Sequence, residues 1–510
     1  MERYASGQSH SQAVASNFLP VLVMFTVMKP LKSIIQTLLQ AQATIAAFLA
    51  AGLLVHTLLS IISRMHCLSS LASPITLTSL PLLLIFFRLH RRSRVYLLGY
   101  SCFKPLPDRK CTFEASMQFV RRSGLVSSES EDFMQRIFSK SGLGDETYGP
   151  PFIFDPNNGI ARAKLESAVE EAREGIVGAV DSLFLKTQVS PHQIDTVIVT
   201  SGSFSPSPSL SSFVVNRYKM RHDVKTYDLS GMGCSSGTIA VDMAGRLLGR
   251  RRRRPEYALV VITESISSNW YFGNNRSMLV ANCIFRVGCA AVLVTNDPSR
   301  RGSAKMELLH SVRTHHGSDD QAYRAAFQKE DEKGNTGVSL TKDLVPVAGA
   351  NLRRHIEILG PRVLPLRQLF LYVCSSLSAR LDCSKKPTVP DFTTAFDHFC
   401  IHTGGKAVIE QVGRVLRLGD HVIEPARMTL NRFGNTSSSL VFYELAYFEA
   451  KGRVRRGDRV WMLAFGTGFK VGSLVLRSLR DSSMEDDNPW KDCIGRYPVS
   501  LGELCMIKQQ

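Results

Sequence analysis

LSGMGCSSG, Leu229 to Gly237, decides the architecture of this chain. A strand-like run from Val224 ends at Leu229, passes through three glycines and one cysteine, and enters a helix whose apolar residues Ile239, Met243 and Leu247 recur at helical spacing. Strand, tight turn and helix in that order are the repeating unit of α/β proteins. Cys234 lies at the start of the helix, where free N–H groups and the helix dipole favour thiolate over thiol, so it is the candidate nucleophile. Cys67, Cys283 and Cys289 lack such a frame and read as small buried hydrophobes.

The pattern continues outward on both sides. Lys164 to Lys186 places Leu165, Ala168, Val169, Ala172, Ile176, Val180 and Leu183 on a helix, and DTVIVT (Asp195 to Thr200) follows as a buried strand. Further strands are predicted at Tyr257 to Thr263 and Ala290 to Thr295. The second half repeats the style with the strand HFCIH, a helix from Gly405 to Leu418, the turn FGNTSS, a helix to about Ala450, and strands at Val460 to Phe465 and Val471 to Arg477. Two related α/β halves are expected, 96–300 carrying the nucleophile and 301–510 carrying its partners.

The partners offered are histidines and an asparagine. His402, followed by Thr403, Gly404 and Gly405, sits at a strand-to-helix turn taken as the second-half equivalent of the Cys234 position. His398 shares its strand face by the period of two and reads as structural, with a secondary role left open. Asn435 occupies a third such turn, where a helix N-cap is the alternative. A strand is the wrong scaffold for a zinc pair spaced i, i+4, no third ligand accompanies these histidines, and no metal is expected.

With 510 residues, 44% hydrophobic and 21% charged, the chain has the profile of a folded protein; collagen, coiled coil and disulfide mini-protein are excluded. Eleven cysteines without a CxxC pair favour reduced thiols. The net charge of +18 is partly concentrated in Arg250 to Arg254, which must be a solvated loop. No aromatic platform or recognition helix accompanies it, so nucleic acid is not an expected partner, whereas anionic lipid attracts basic residues by about 1 kcal/mol each. The polar run Gln328 to Thr336 reads as a loop without evident chemistry. At the N-terminus, Ala43 to Ser63 is uncharged and long enough to span a bilayer, and a second uncharged stretch, Met65 to Phe87, carries Pro74 and Pro81. We therefore expect a cytosolic segment at 1–42 and a membrane anchor at 43–95, a helical hairpin with both ends cytosolic by the placement of Lys29, Lys32, Arg88, Arg91, Arg92 and Arg94.

LSGMGCSSG, NWYFGNNRSMLVANCIFRVG (Asn269 to Gly288), RTHHGSDD (Arg313 to Asp320), FCIHTGGKAVIE (Phe399 to Glu410), RFGNTSSS (Arg432 to Ser439) and NPWKDCIGRYPV (Asn488 to Val499) together resemble the plant 3-ketoacyl-CoA synthases, membrane-bound condensing enzymes of very-long-chain fatty acid elongation. The resemblance runs from about Tyr96 to Val499. It implies a thiolase fold, two duplicated α/β halves in αβαβα layers, and a Cys–His–Asn site at Cys234, His402 and Asn435. It also implies an oxyanion hole from the turns holding Gly233, Gly466 and Gly468, with His315 a possible secondary residue. Substrates would be malonyl-CoA and a long-chain acyl-CoA, with no cofactor. Partners would be membrane lipids, the elongase reductase and dehydratase, and a second copy in a homodimer; the location would be the endoplasmic reticulum membrane, with the catalytic domain facing the cytosol. Alternatives are a non-catalytic acyl-CoA-binding elongase subunit and a membrane-anchored polyketide-synthase-like enzyme. A biosynthetic thiolase would carry a second cysteine in the turn GTGFK, which has none. The chain departs from the family at TSGSFSPSPSLSS (Thr200 to Ser212), which usually reads NCSLFNPTPSLS, and at Val471, where a Cys is common.

Overall fold

The computed structural model describes residues 93–155, 164–250, 254–381 and 388–499. The segment 1–42, the expected anchor as far as residue 92, and Arg251 to Arg253 lie outside them. Val95, assigned above to the anchor, instead opens a buried strand, β1 (Val95–Cys102). Its sequence, VYLLGYSC, is as apolar as a membrane segment because both faces of the strand are covered. Among the described residues, no helix is long and apolar enough to cross a membrane.

The remaining strands of the first half are β2 (Thr196–Ser201), β3 (Lys225–Leu229), β4 (Tyr257–Thr263) and β5 (Ala290–Thr295). Those of the second are β6 (Met306–His315), β7 (Ala326–Glu330), β8 (Thr336–Leu340), β9 (His398–Ile401), β10 (Arg459–Gly466) and β11 (Lys470–Ser478). Nine of them form a sheet in the order β3-β2-β4-β5-β1-β6-β11-β10-β9. The order contains one motif twice. β2 runs parallel to β4, β4 antiparallel to β5, and β5 antiparallel to β1; likewise β9 runs parallel to β10, β10 antiparallel to β11, and β11 antiparallel to β6. The two copies join where Val95, Tyr96 and Leu97 pair with Leu308, Glu307 and Met306.

Helices of the first half are α1 (Phe113–Ser123), α2 (Ser128–Ser141), α3 (Leu165–Thr187), α4 (Leu210–Arg217), α5 (Ser236–Leu248) and α6 (Arg276–Ile284). Those of the second are α7 (Asp320–Arg324), α8 (Leu344–Val363), α9 (Leu366–Leu381), α10 (Lys406–Leu416), α11 (Asp420–Phe433) and α12 (Leu440–Ala450).

Alternation along the strands builds the layers. Val197, Val199, Leu259 and Val261 point to α3 and α4, while Ile198, Val260 and Ile262 point to the opposite face, towards α5 and α12. In the second copy Val460, Met462 and Leu474 face those same two helices, while Trp461, Leu463 and Val475 face α8, α10 and α11. Helices α5 and α12 thus lie between the halves, giving five layers. Because α12 is covered on every side, LVFYELAYFEA shows no polar stripe, and Leu440 to Glu449 are all buried.

The run Gln328 to Thr336, expected to be a loop, instead supplies much of the antiparallel hairpin β7–β8. After Ala326, the rest of β7 is exposed, so the apolar alternation that marks a half-buried strand is absent.

Candidate active site

Parallel strands end at the same edge of a sheet, and there the functional side chains collect. Beyond β3 the chain turns through Met232 and Gly233 into a short 3-10 turn, Gly233–Ser235, and then α5. Gly233 has φ +60°, and a Cβ on it would stand 2.5 Å from the Thr467 nitrogen. The Cys234 turn therefore packs directly on the β10–β11 turn, which only glycine permits. A Cβ at Gly466 would lie 2.2 Å from Ser235 Oγ, so Gly466 acts in this packing. Gly233, Cys234, Thr467 and Gly468 border one cavity of about 430 Å³, which Gly466 does not line.

Cys234 is partly exposed to that cavity. Its thiol accepts a hydrogen bond from Ser437 Oγ at 3.5 Å. Burial pushes the thiol up to about 12 and the nearby Glu264 carboxylate adds to the rise, against the lowering effect of the Ser437 hydroxyl. The expected thiolate is thus not the resting form, because desolvation outweighs the helix N-terminus.

His402 follows β9, its N–H donating to the Leu463 carbonyl at 2.8 Å. Burial lowers its imidazole to about 3, so the ring is neutral, and Nδ1 has no hydrogen-bond partner. The residue before it, Ile401, donates its N–H to Glu444 Oε2 at 2.6 Å, tying the strand end to α12. Burial drives the Glu444 carboxyl well above its usual range.

Asn435 is buried, and its Oδ1 accepts from the Ser437 N–H at 2.9 Å, which fixes the amide with Nδ2 turned away from that turn. The expected equivalence of His402 and Cys234 needs correction. β9 is the topological counterpart of β2, so the His402 turn corresponds to the turn after Ser201; the counterpart of the Cys234 turn is the one entering α12.

The other histidines divide. His315, at the end of β6, lines the cavity; its Nδ1 accepts from the Gly317 N–H at 3.1 Å, and burial with Lys470 and Arg313 lowers its pKa. His398 lies at the opposite end of β9, bonded to Asp458 Oδ2 at 2.8 Å and tilted against Phe448, remote from the strand end that carries His402.

Sequence reasoning missed two features. Glu264 follows β4, is buried, and accepts from Ser201 Oγ at 2.9 Å, Ser203 Oγ at 3.2 Å and Ser437 Oγ at 3.4 Å. A carboxylate directly after the apolar run YALVVIT was its available signal. Gly202 makes room for it, since a Cβ there would meet Glu264 Oε2 at 2.1 Å. The second feature is a wall formed by Tyr323, Phe327, Gln328 and Val338 from α7 and the β7–β8 hairpin, which lines the cavity together with Trp270 and Phe285.

Residues 87–381 match the family described as FAE1/Type III polyketide synthase-like protein, and residues 393–478 match the C-terminal domain of 3-oxoacyl-[acyl-carrier-protein] synthase III. The chain is 47% identical to 3-ketoacyl-CoA synthase 17 of Arabidopsis thaliana over 423 residues, which is 82% of this chain and 85% of that protein. The chain belongs to the 3-ketoacyl-CoA synthase family. A second member, 3-ketoacyl-CoA synthase 4 of Arabidopsis thaliana, is 46% identical over 80% of this chain and 78% of its own length. The fold of the synthase is that of type III polyketide synthases. Tetrahydroxynaphthalene synthase from Streptomyces coelicolor superposes with a TM-score of 0.60 at 17% identity, over 75% of this chain and 99% of its own. A fungal type III polyketide synthase gives 0.58 at 19% identity, over 75% and 99%.

Proposed function

We propose that this chain catalyses the decarboxylative condensation of malonyl-CoA with a long-chain acyl-CoA, giving a 3-ketoacyl-CoA in very-long-chain fatty acid elongation. The observation that carries this reading is a half-buried cysteine at the head of a central helix, opening into a largely apolar cavity, with the Asn435 turn packed against it through Ser437. Cys234 gives up its proton and its sulfur attacks the acyl thioester; the carbon–sulfur bond to coenzyme A breaks, and coenzyme A leaves as the thiol. Malonyl-CoA then loses carbon dioxide, and the electron pair remains as an enolate. A neutral imidazole at His402 and the Asn435 amide are donors suited to that developing oxyanion, because neither brings a charge that would bind carboxylate and enolate alike. The enolate carbon attacks the Cys234 thioester, the sulfur departs as thiolate, and the 3-ketoacyl-CoA is released. The Cys234 N–H and one from the Thr467–Gly468 turn form the oxyanion hole in this reading, supported by the contact between the two turns.

The charge pattern of the N-terminal segment supports placing the protein at the endoplasmic reticulum membrane with its catalytic part in the cytosol. Elongase reductase and dehydratase are its expected partners, and a homodimer its expected assembly. The test is incorporation of labelled malonyl-CoA by microsomes expressing the chain, with a panel of acyl-CoA primers and Cys234→Ala as control. Elongation that vanishes in the variant is expected; no product with any primer assigns the chain to a non-catalytic acyl-CoA-binding subunit.

A further inference from the structure

Helix α9 turns an apolar face to solvent. Leu366 is 84% exposed and Phe370 68%, and Leu371 and Val373 stand exposed with them, as does Ile358 near the end of α8. Leu366, Phe370 and Val373 follow the i, i+4, i+7 spacing and form a single stripe, whereas Leu369, on the flank of that stripe, packs against the core. The outward side of a surface helix ordinarily carries charges of both signs. From Ile358 to Leu381 the sequence contains Arg362, Arg367 and Arg380 and no Asp or Glu.

We propose that α9 lies in the surface of an anionic bilayer, with the Leu366–Phe370–Val373 stripe entering the acyl boundary and Arg362 and Arg367 among the lipid phosphates. An apolar stripe bordered by arginines is the composition that binds such a surface in the plane of the interface. The long arginine side chains reach the headgroups while the helix body sinks below them. A second copy fits less well, because a two-fold contact through this face sets Arg362 and Arg367 against their own counterparts. The chain's own leading segment fits less well too, since no carboxylate occurs between Arg3 and Pro107 to answer the arginines.

The inference deepens the membrane placement proposed above, and the experiment separates the two. Phe370→Trp and Leu185→Trp are made in the full chain; Leu185, 74% exposed on α3, is the control, and the native Trp270, Trp461 and Trp490 are all buried. Each variant is first checked for retained condensing activity, then reconstituted with phosphatidylcholine vesicles carrying doxyl-labelled lipid, with and without phosphatidylserine. The expected result is loss and blue shift of the Phe370→Trp emission, greater with phosphatidylserine, and unchanged emission from Leu185→Trp. A chain that floats with the vesicles yet shows no quenching at residue 370 overturns the role of α9 and leaves the anchor standing. A chain that neither floats nor is quenched overturns both. A Leu366→Cys chain that forms a disulfide between two copies, without quenching, assigns the face to a dimer and overturns the lipid assignment.

Discussion

Met232–Ser235 before α5 and Thr436–Ser439 before α12 follow the same backbone path. Each begins with a residue near the bridge region, Met232 at φ −91°, ψ −5° and Thr436 at φ −84°, ψ 28°. Each continues through a left-handed residue, Gly233 at φ +60° and Ser437 at φ +57°, into a 3-10 turn and a central helix. In this register Cys234 corresponds to Ser438, a buried serine whose Oγ has no hydrogen-bond partner. The first copy takes glycine because the Thr467 backbone crowds it. The second holds a serine in a conformation that costs a non-glycine residue about 1–2 kcal/mol, and uses its N–H to orient Asn435 and its hydroxyl to span Cys234 and Glu264. The two frames match in path and differ in setting: the one that carries Cys234 opens to the cavity, and the one that carries Ser438 is closed and supports it.

The strongest test of that division is an exchange of the nucleophile. Cys234→Ala abolishes elongation of labelled malonyl-CoA, and adding Ser438→Cys restores none of it; restored product breaks the comparison. Next, Asn435→Leu lowers condensation by about 10²- to 10³-fold while single-turnover acylation of Cys234 by acyl-CoA persists, since the donor acts on the enolate. Equal loss of both steps gives Asn435 a merely structural role. Gly233→Ala displaces Thr467 and costs elongation about 10²-fold, the scale of one oxyanion donor. Ser437→Gly changes unfolding free energy by less than about 1 kcal/mol, yet slows alkylation of Cys234 because a hydroxyl that favours the thiolate is gone.

The pH dependences are gentler. With the thiol at about 12, Cys234 alkylation by iodoacetamide climbs about tenfold per pH unit from neutrality and reaches no plateau below pH 10. A plateau near pH 7 reveals an activating cation. His402 and His355 are both lowered to about 3 by burial. Their unfolded forms, near 6.5, take up protons first, so stability is whole above about pH 6.5 and drains away as pH falls towards 3, which chemical denaturation across that range measures.

Strands at 257–263 and 290–295 were legible to the residue because both faces of each are buried and the run has no polar break. β1 and β6 were not: β1 reads as the tail of a hydrophobic N-terminal segment, and the burial pattern of β6 mixes buried, half-buried and exposed positions. The turn that carries Cys234 was legible from its glycines, and the turn that carries Asn435 from FGNTSS. Ser437 and Glu264 were hidden because their chemistry arises from proximity across 173 residues, which local spacing cannot show. The state of the thiol was misread for a related reason, since a helix terminus is visible in sequence and desolvation is not.

Near the C-terminus, Trp490 donates its indole N–H to the Tyr443 carbonyl at 2.9 Å, and Asn488 donates to the Ala446 carbonyl at 3.0 Å, so the segment after β11 clasps α12. Because α12 anchors both the Asn435 turn and the strand end at His402, the centre cannot be complete until residue 490 has left the ribosome. Translation therefore imposes an order: the Cys234 turn is made long before the segment that clasps α12, and condensing competence comes last.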